Sequence, residues 1–411
     1  MSTRVRDLST TKTREGLLEV TDPDDVEFVL RSRDFEFVRP EDRYSEGSEL
    51  QDQLLRDSLL RLWGEDHFDR RRLESGLFRH ETLKEYEEEL VIPRMREELA
   101  AIKAAAGEYG VARTEVIALS YRVFLILVAK LVGLDLETRA DEERFLRVLE
   151  KLEGGVRVRY ATNPHEVVAA GLEAQQEMEQ EFLRPSWERR KRDLAAGIER
   201  NDLITVMLQH ADHFGQWDEG VFLRETTLFV SASTGTATRE MALAIDEIEA
   251  WMDEHPEDTD KRVDPVFLRT AFEESLRYQQ SVREIGRVCV HVSTLPSGLE
   301  VPEGAVVKVF LIKASQARFG AEGEQYDPHR EPVEGADPYG YAFGGGRHTC
   351  IGKWLVLGQS AGRRERNGIA VSMLLELYKA GMRPDPENAP TYKQTFTRRF
   401  ATYPVIFEGA A

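Results

Sequence analysis

Cysteine is scarce in this chain: its 411 residues include two, Cys289 and Cys350. Two thiols in so long a chain build no disulfide framework, and no CxxC pair or zinc-like spacing surrounds either one, which points to a reducing compartment. Long apolar runs are missing too. The most apolar stretch, Val123 to Leu134, is too short to span a bilayer and carries Lys130 within it, so it reads as a buried helix. The first residues, Met1 to Asp7, are polar and charged, unlike a secretory signal. Cationic charge is in deficit, with 55 Lys and Arg against 74 Asp and Glu and a net charge of −19, the wrong sign for a nucleic-acid partner. There is no Pro/Gly/Ser-rich linker, low-complexity segment or fixed-period repeat. The expectation is one large domain, residues 1–411, in a cytoplasmic protein without a membrane anchor.

Helical periodicity dominates what is present. Asp24 to Arg31, Leu83 to Glu108, Glu115 to Leu134, His165 to Phe182, Gly220 to Asp253 and Val266 to Tyr278 all read as helices. Asp22-Pro23 supplies an N-cap and first-turn proline, and His255-Pro256 closes the long helix before it. Strand-like segments are few: Val288 to Val292, Val306 to Leu311 after the turn Pro302-Glu303-Gly304, and Thr402 to Phe407. The pattern predicts a mainly α fold with a small β-sheet component.

The richest chemistry lies in Phe343-Gly344-Gly345-Gly346-Arg347-His348-Thr349-Cys350-Ile351-Gly352, which runs into a helical pattern at Lys353-Trp354-Leu355. Glycines let the backbone approach a bulky group closely. A thiolate beside a helix N-terminus is stabilised by free N–H groups, and Arg347 and His348 add positive charge for an acidic cofactor edge. On the residues alone two other readings stand: a phosphate loop, although the Lys and Ser/Thr of a P-loop are absent, or an inert buried cysteine.

The decapeptide resembles the haem-binding loop of the cytochrome P450 family, Phe-x-x-Gly-x-His/Arg-x-Cys-x-Gly, and fills every fixed position with Phe343, Gly346, His348, Cys350 and Gly352. The resemblance implies the cytochrome P450 fold, haem b as cofactor and Cys350 as ligand to its iron. Other segments follow in the family's order. Glu274-Ser275-Leu276-Arg277 matches Glu-x-x-Arg, whose spacing puts carboxylate and guanidinium on one helix face, and Arg330 matches the arginine that completes this triad. His67 and Arg71, one helical turn apart, match a pair that holds a haem propionate, and Arg287 matches an arginine on the other. The resemblance starts near Val20, in the region of the family's B-helix, so the segment that usually precedes it is expected to be missing.

Two departures from the family pattern stand out. The helix from Gly220 should cross the haem, where relatives carry an acid followed by Thr as a proton route. Here the residues are Ser231-Ala232-Ser233-Thr234-Gly235-Thr236-Ala237-Thr238-Arg239-Glu240, with no acid before a Thr. Registers centred on Thr234-Gly235, on Thr236-Ala237 or on Arg239-Glu240 all remain open, with Thr234, Thr236 and Thr238 as candidate catalytic hydroxyls. The second departure is the polar stretch Gly358 to Gly368, an expected insertion in the helix after Cys350. With Arg70, Arg72, Arg79 and Lys353 its basic residues could face an acidic electron donor.

The resemblance implies a monooxygenase that inserts one atom of O2 into a small-to-medium apolar substrate, with electrons from a separate ferredoxin and ferredoxin reductase. The missing acid–Thr pair leaves two alternatives: a peroxide-using or non-hydroxylating enzyme, or a haem protein without oxygenation. Phe35, Phe37, Tyr44, Leu54, Leu55, Leu59 and Leu62 are the expected apolar lining, or else local core.

Overall fold

A computed structural model of the chain describes residues 17–38, 45–107, 110–214, 220–359, 365–393, 395 and 399–407. The chain enters through strand β1 (Leu18–Val20), helix α1 (Pro23–Arg31) and strand β2 (Phe35–Phe37). Asp22 caps α1, accepting from the N–H groups of Asp24 and Asp25. Helices α2 (Glu46–Leu55), α3 (Gly64–Glu74) and α4 (His80–Glu85) follow, and a π-helical turn, Tyr86–Val91, joins α4 to α5 (Ile92–Ala106). The periodicity from Leu83 to Glu108 therefore covers a helix re-registered at one wide turn rather than a uniform α-helix. Strand β3 (Ala112–Glu115) leads into α6 (Val116–Val132), α7 (Arg139–Val156), α8 (Pro164–Met178), α9 (Arg184–Ala195), α10 (Leu203–Gln209) and α11 (Ala211–Phe214).

The centre belongs to α12 (Val221–Glu254), a helix of 34 residues that packs on α6, α7, α13 (Pro265–Tyr278) and a later helix, α16 (Ile369–Lys379). Its neighbour α6 is apolar on nearly all sides, as a helix buried on most of its circumference must be. After α13 come β4 (Ile285–Cys289), the small ribbon β5 (Ser293–Thr294) with β6 (Glu300–Val301), β7 (Val306–Val309) and α14 (Leu311–Ala317). Strand β4 starts three residues earlier than Val288 and stops before Val290. Its central position, between β7 and β2 in the order β1-β7-β4-β2, recruits Ile285 and Gly286 through ladder bonds that side-chain preference does not announce. Helix α15 (Lys353–Leu357) follows the Cys350 loop, and β8 (Met382–Pro384), β9 (Thr391–Tyr392), β10 (Phe400–Thr402) and β11 (Pro404–Phe407) end the chain. The expected Thr402–Phe407 strand is thus a β10–β11 pair broken at Tyr403.

The expected interruption after Cys350 is present. Between α15 and α16, Gln359 and Arg366 exchange backbone hydrogen bonds of 2.8 Å each, and Gly358 and Gly368 adopt φ of 68° and 83° where the two backbones touch. A side chain on either glycine would overlap the opposite main chain. Residues 360–364 of this stretch, and Tyr44, lie outside the described residues.

Candidate haem-thiolate site

The Cys350 loop is wedged against α1. A Cβ on Gly346, which has φ of 63°, would overlap the carbonyl of Leu30, and one on Gly345 would press on the Leu30 side chain at 3.1 Å. The glycines therefore serve the contact with α1 as much as any approach to a cofactor. The Cys350 N–H donates to the Phe343 carbonyl (2.9 Å), closing the loop, and Phe343 packs edge-on to Tyr339. The thiol itself is accessible, whereas Cys289 is buried in the β-sheet cluster. Surrounding protein raises the Cys350 pKa, and the backbone N–H groups of Gly352 and Lys353 with the charges of Arg71 and Lys353 act against that rise. These donors are the ones a bound thiolate needs.

A cationic cluster stands beside the loop. The rings of His67 (α3) and His348 lie 4.0 Å apart, and Phe37 from β2 packs at a tilt against His348 at 5.7 Å. Arg287 on β4 lies over the same Phe37 ring (5.4 Å), and Arg71 donates to the Thr349 carbonyl at 2.6 Å. Burial first, then the charges of Arg71, Arg347 and Arg287, lowers the pKa of His67 to about 4. His348 is depressed to about 2, by burial and then chiefly Arg287. Arg347 forms an ion pair with Glu36 (2.7 Å). Two imidazoles, two further guanidiniums and an accessible thiol side by side suit a macrocycle with an iron centre and a carboxylate-bearing edge. His67, Arg71, Arg287, His348, Phe343, Gly352 and Cys350, all expected at a cofactor, are brought to one place.

On the other side of the site lies α12. Phe78 touches both partners: its ring is 6.4 Å from that of Phe229 on α12, and it lines the same space beside Gly352 as the Cys350 sulfur. Along α12 the accessible residues between buried turns are Leu228, Ala232, Ser233, Thr236, Ala237 and Arg239. The three candidate threonines separate here. Thr234 is fully buried, donating to Glu153 of α7 (2.6 Å) and back to the Val230 carbonyl (2.8 Å). Thr238 is buried with its hydroxyl unpaired, and Thr236 is half-buried and accepts from Arg157 at 3.0 Å. Thr236, not Thr234 or Thr238, holds its hydroxyl on the accessible stripe. Sequence reasoning missed Glu153, which reaches α12 from a different helix with 81 residues between the two partners. A Cβ on Gly235 would overlap its carboxylate, and Tyr121 donates to it at 2.6 Å.

The Glu274–Arg277–Arg330 triad is formed. Arg277, wholly buried, bonds both Glu274 oxygens at 2.6 Å, and Arg330 reaches Glu274 at 3.0 Å. Arg277 also donates to the carbonyls of Gly323 (2.5 Å) and Gln325 (2.9 Å), tying α13 to the segment before the Cys350 loop.

Two expectations need correction. Arg70 offers no surface to a donor protein: it is buried, bonded to Glu225 (2.9 Å) and to the carbonyls of Asp57 and His213. Arg366 is likewise buried, against Glu87 and the Trp354 carbonyl. The α3 and post-Cys350 segments each carry several arginines, and only tertiary packing decides which turn inward. Of the expected apolar lining, Phe35, Leu54, Leu55 and Leu59 are core residues, and Phe37 belongs to the His348 cluster.

Residues 240–356 match the family model described as Cytochrome P450. The mouse protein named Cytochrome P450 4F3 is 27% identical over 124 residues, 29% of this chain and 22% of that relative's length. Among solved structures, P450BioI, crystallised with an acyl carrier protein carrying hexadec-9Z-enoic acid, superposes with a TM-score of 0.70 at 18% identity over 98% of this chain and 97% of its own. CYP109E1 from Bacillus megaterium, solved with testosterone, gives 0.70 at 17% identity over 98% and 97%. CalO2 gives 0.68 at 21% over 98% and 94%. These likenesses carry the fold, and the family model covers α12's second half, the Glu274–Arg277 pair and the Cys350 loop: the chain has the cytochrome P450 fold and, over residues 240–356, matches the Cytochrome P450 family model.

Proposed function

We propose that the chain is a haem-thiolate monooxygenase that inserts one oxygen atom from O2 into an organic substrate held between α12 and the Cys350 loop. The observation that carries this is the accessible Cys350 thiol, ringed by the Gly352 and Lys353 N–H groups and flanked by the His67–Arg71–Arg287–His348 cluster. Haem b ligated by the Cys350 thiolate supplies the oxygen-activating chemistry. His67, Arg71, Arg287 and His348 bind its carboxylate edge, and the Glu274–Arg277–Arg330 triad holds the Cys350 segment in place. The accessible stripe of α12 faces the substrate, with Ala232 leaving room and the Thr236 hydroxyl, oriented by Arg157, able to relay a proton. Phe78 and Phe229 keep water from the thiolate side.

Electrons come from a separate ferredoxin and its reductase, docking on the face of exposed Arg72 and Arg79. A second reading, use of hydrogen peroxide, is favoured by Arg239, which occupies the accessible stripe where an acid would otherwise act. The test is a carbon monoxide difference spectrum of the reduced protein followed by turnover assays. A thiolate band with product formation under ferredoxin and reductase supports the monooxygenase. Product from peroxide alone supports the second reading, and absence of the thiolate band sinks both.

A further inference from the structure

We propose that Glu74 and Glu225 form a buried carboxyl pair sharing a single proton, and that this proton holds α3 against α12 and makes haem retention depend on pH. The inference goes beyond the proposed function and rests on it only for the haem that α3 grips.

Helix α3 turns one face inward at the spacing i, i+3, i+4 and i+7, through His67, Arg70, Arg71 and Glu74. His67 and Arg71 serve the Cys350 loop, whereas Arg70 and Glu74 meet Glu225 near the start of α12. Glu74 and Glu225 are each wholly enclosed, at 0% exposure. Glu225 is well supplied with donors. The Leu59 N–H reaches both of its oxygens (3.1 and 3.0 Å), and the Arg70 guanidinium reaches one of them (2.9 Å). Glu74 is not: among the described residues no N–H group donates to either of its oxygens, and the side chain within hydrogen-bonding reach is Glu225 itself.

Ionised carboxylates accept and never donate, so two of them bond only when one carries a proton. The donors on Glu225 hold it as the anion and leave Glu74 as the acid, its O–H given to Glu225. Burial first, and then the charge of Glu225, push the Glu74 pKa well above the usual carboxylate range, and Arg70 and Arg71 oppose that rise without cancelling it. The bond from Glu74 favours the Glu225 anion, as do Arg70 and the Leu59 N–H, against the burial that raises it. Other nearby charges among the described residues are engaged elsewhere. Arg70 also holds the carbonyls of Asp57 (2.7 Å) and His213 (2.8 Å), and Arg71 holds that of Thr349. Arg224 of α12 pairs with Asp57 (3.0 Å), Arg61 with Asp52 (3.1 Å), and His213 of α11 lies beside Asp212 (3.7 Å). Helix α10 and the turn Ser75–Phe78, which also pack on α3, contain no ionisable side chain.

Loss of the proton would leave two like charges in contact in an enclosed site, where charge is weakly screened. The two helices must then part or admit solvent, and α3 is the helix that carries His67 and Arg71 to the haem carboxylates. The folded protein keeps a proton that the unfolded chain gives up once pH passes the ordinary carboxylate range. Stability therefore falls as pH rises, by up to about tenfold in the folding equilibrium for each pH unit, until the pair ionises. Haem is held most firmly while the pair keeps its proton and is released as that proton leaves.

The test is haem transfer from the ferric holoprotein to apomyoglobin between about pH 6 and pH 10, with infrared difference spectra of the wild type against Glu74→Gln. The expected infrared result is a carboxylic-acid carbonyl stretch at neutral pH that shifts in heavy water and is missing from the variant. Wild-type haem loss should quicken about tenfold or more across the range. Glu74→Gln still donates to Glu225 but cannot ionise, and should flatten that profile. Glu74→Met removes the proton and the repulsion together at similar volume and should be equally flat, so it carries the test if the glutamine variant fails to fold. The absence of an acid band assignable to Glu74, or variants that change haem loss equally at every pH, overturns the proposal. The carbon monoxide spectrum is recorded on the same samples. A missing thiolate band defeats the proposed function, and the infrared band still decides the carboxyl pair.

Discussion

His67 and His348, separated by 281 positions in the chain, pack their imidazoles together with ring centres 4.0 Å apart and planes tilted by 36°. Burial, and then the surrounding arginines, make protonation of both unfavourable, so the pair meets an anion best as neutral donors backed by Arg71 and Arg287. His67→Ala and Arg287→Ala are therefore expected to retain the fold by circular dichroism and to lose haem to apomyoglobin several-fold faster. Unchanged transfer rates in both variants would remove the carboxylate contact.

Cys350→Ser is expected to keep the helical fold, since Cys350 contributes backbone bonds that serine can make equally well. The thiolate band with carbon monoxide and the turnover should both vanish. Retention of that band in the serine variant would move the iron ligand elsewhere.

Glu274 pairs with Arg277 on its own helix and fastens α13 to the later chain through Arg330 and the Asp327 N–H. Glu274→Ala strands the fully buried Arg277 cation, an imbalance that typically costs about 3–5 kcal/mol. Urea unfolding should show the loss, and a change under about 1 kcal/mol would mean the triad is structurally idle.

Gly235→Ala tests the contact between α7 and α12. The new methyl group overlaps a carboxylate held by Tyr121 and Thr234, and overpacking of this kind costs about 1–3 kcal/mol. Adding Glu153→Ala should recover part of that loss. Strict additivity in the double-mutant cycle would show that the two residues do not meet.

Glu273, on α13 near Arg269, Asp337 and Lys353, has its pKa raised to about 7 from 4.5, first by burial and then, against Arg269, by Asp337. The folded state therefore holds a proton that the unfolded chain releases, and stability falls as pH rises from about 4.5 to about 7. Glu273→Gln should flatten that slope and leave the variant more stable at pH 8 by about 1–2 kcal/mol. Parallel urea midpoints for the two proteins from pH 5 to pH 8 would refute this.

Much of the molecule is legible in its sequence. Helical periodicity marked α1, α6, α12 and α13 to within a residue or two, because each buries a stripe that recurs every third or fourth position. The Cys350 loop and the Glu274–Arg277 pair were equally plain, since each packs its chemistry into a few consecutive residues. Local sequence also announced the break between α15 and α16, through glycines that alone tolerate the backbone there.

Direction and partnership were decided only by tertiary structure. Nothing local tells Thr234 from Thr236, yet 200° of helical rotation sends one to Glu153 and keeps the other on the accessible stripe. Arg70 and Arg72 differ likewise, one buried on Glu225 and the other exposed. A motif survives in sequence when its atoms are neighbours along the chain. A site assembled from distant elements exists only after folding has spent the entropy that brings them together.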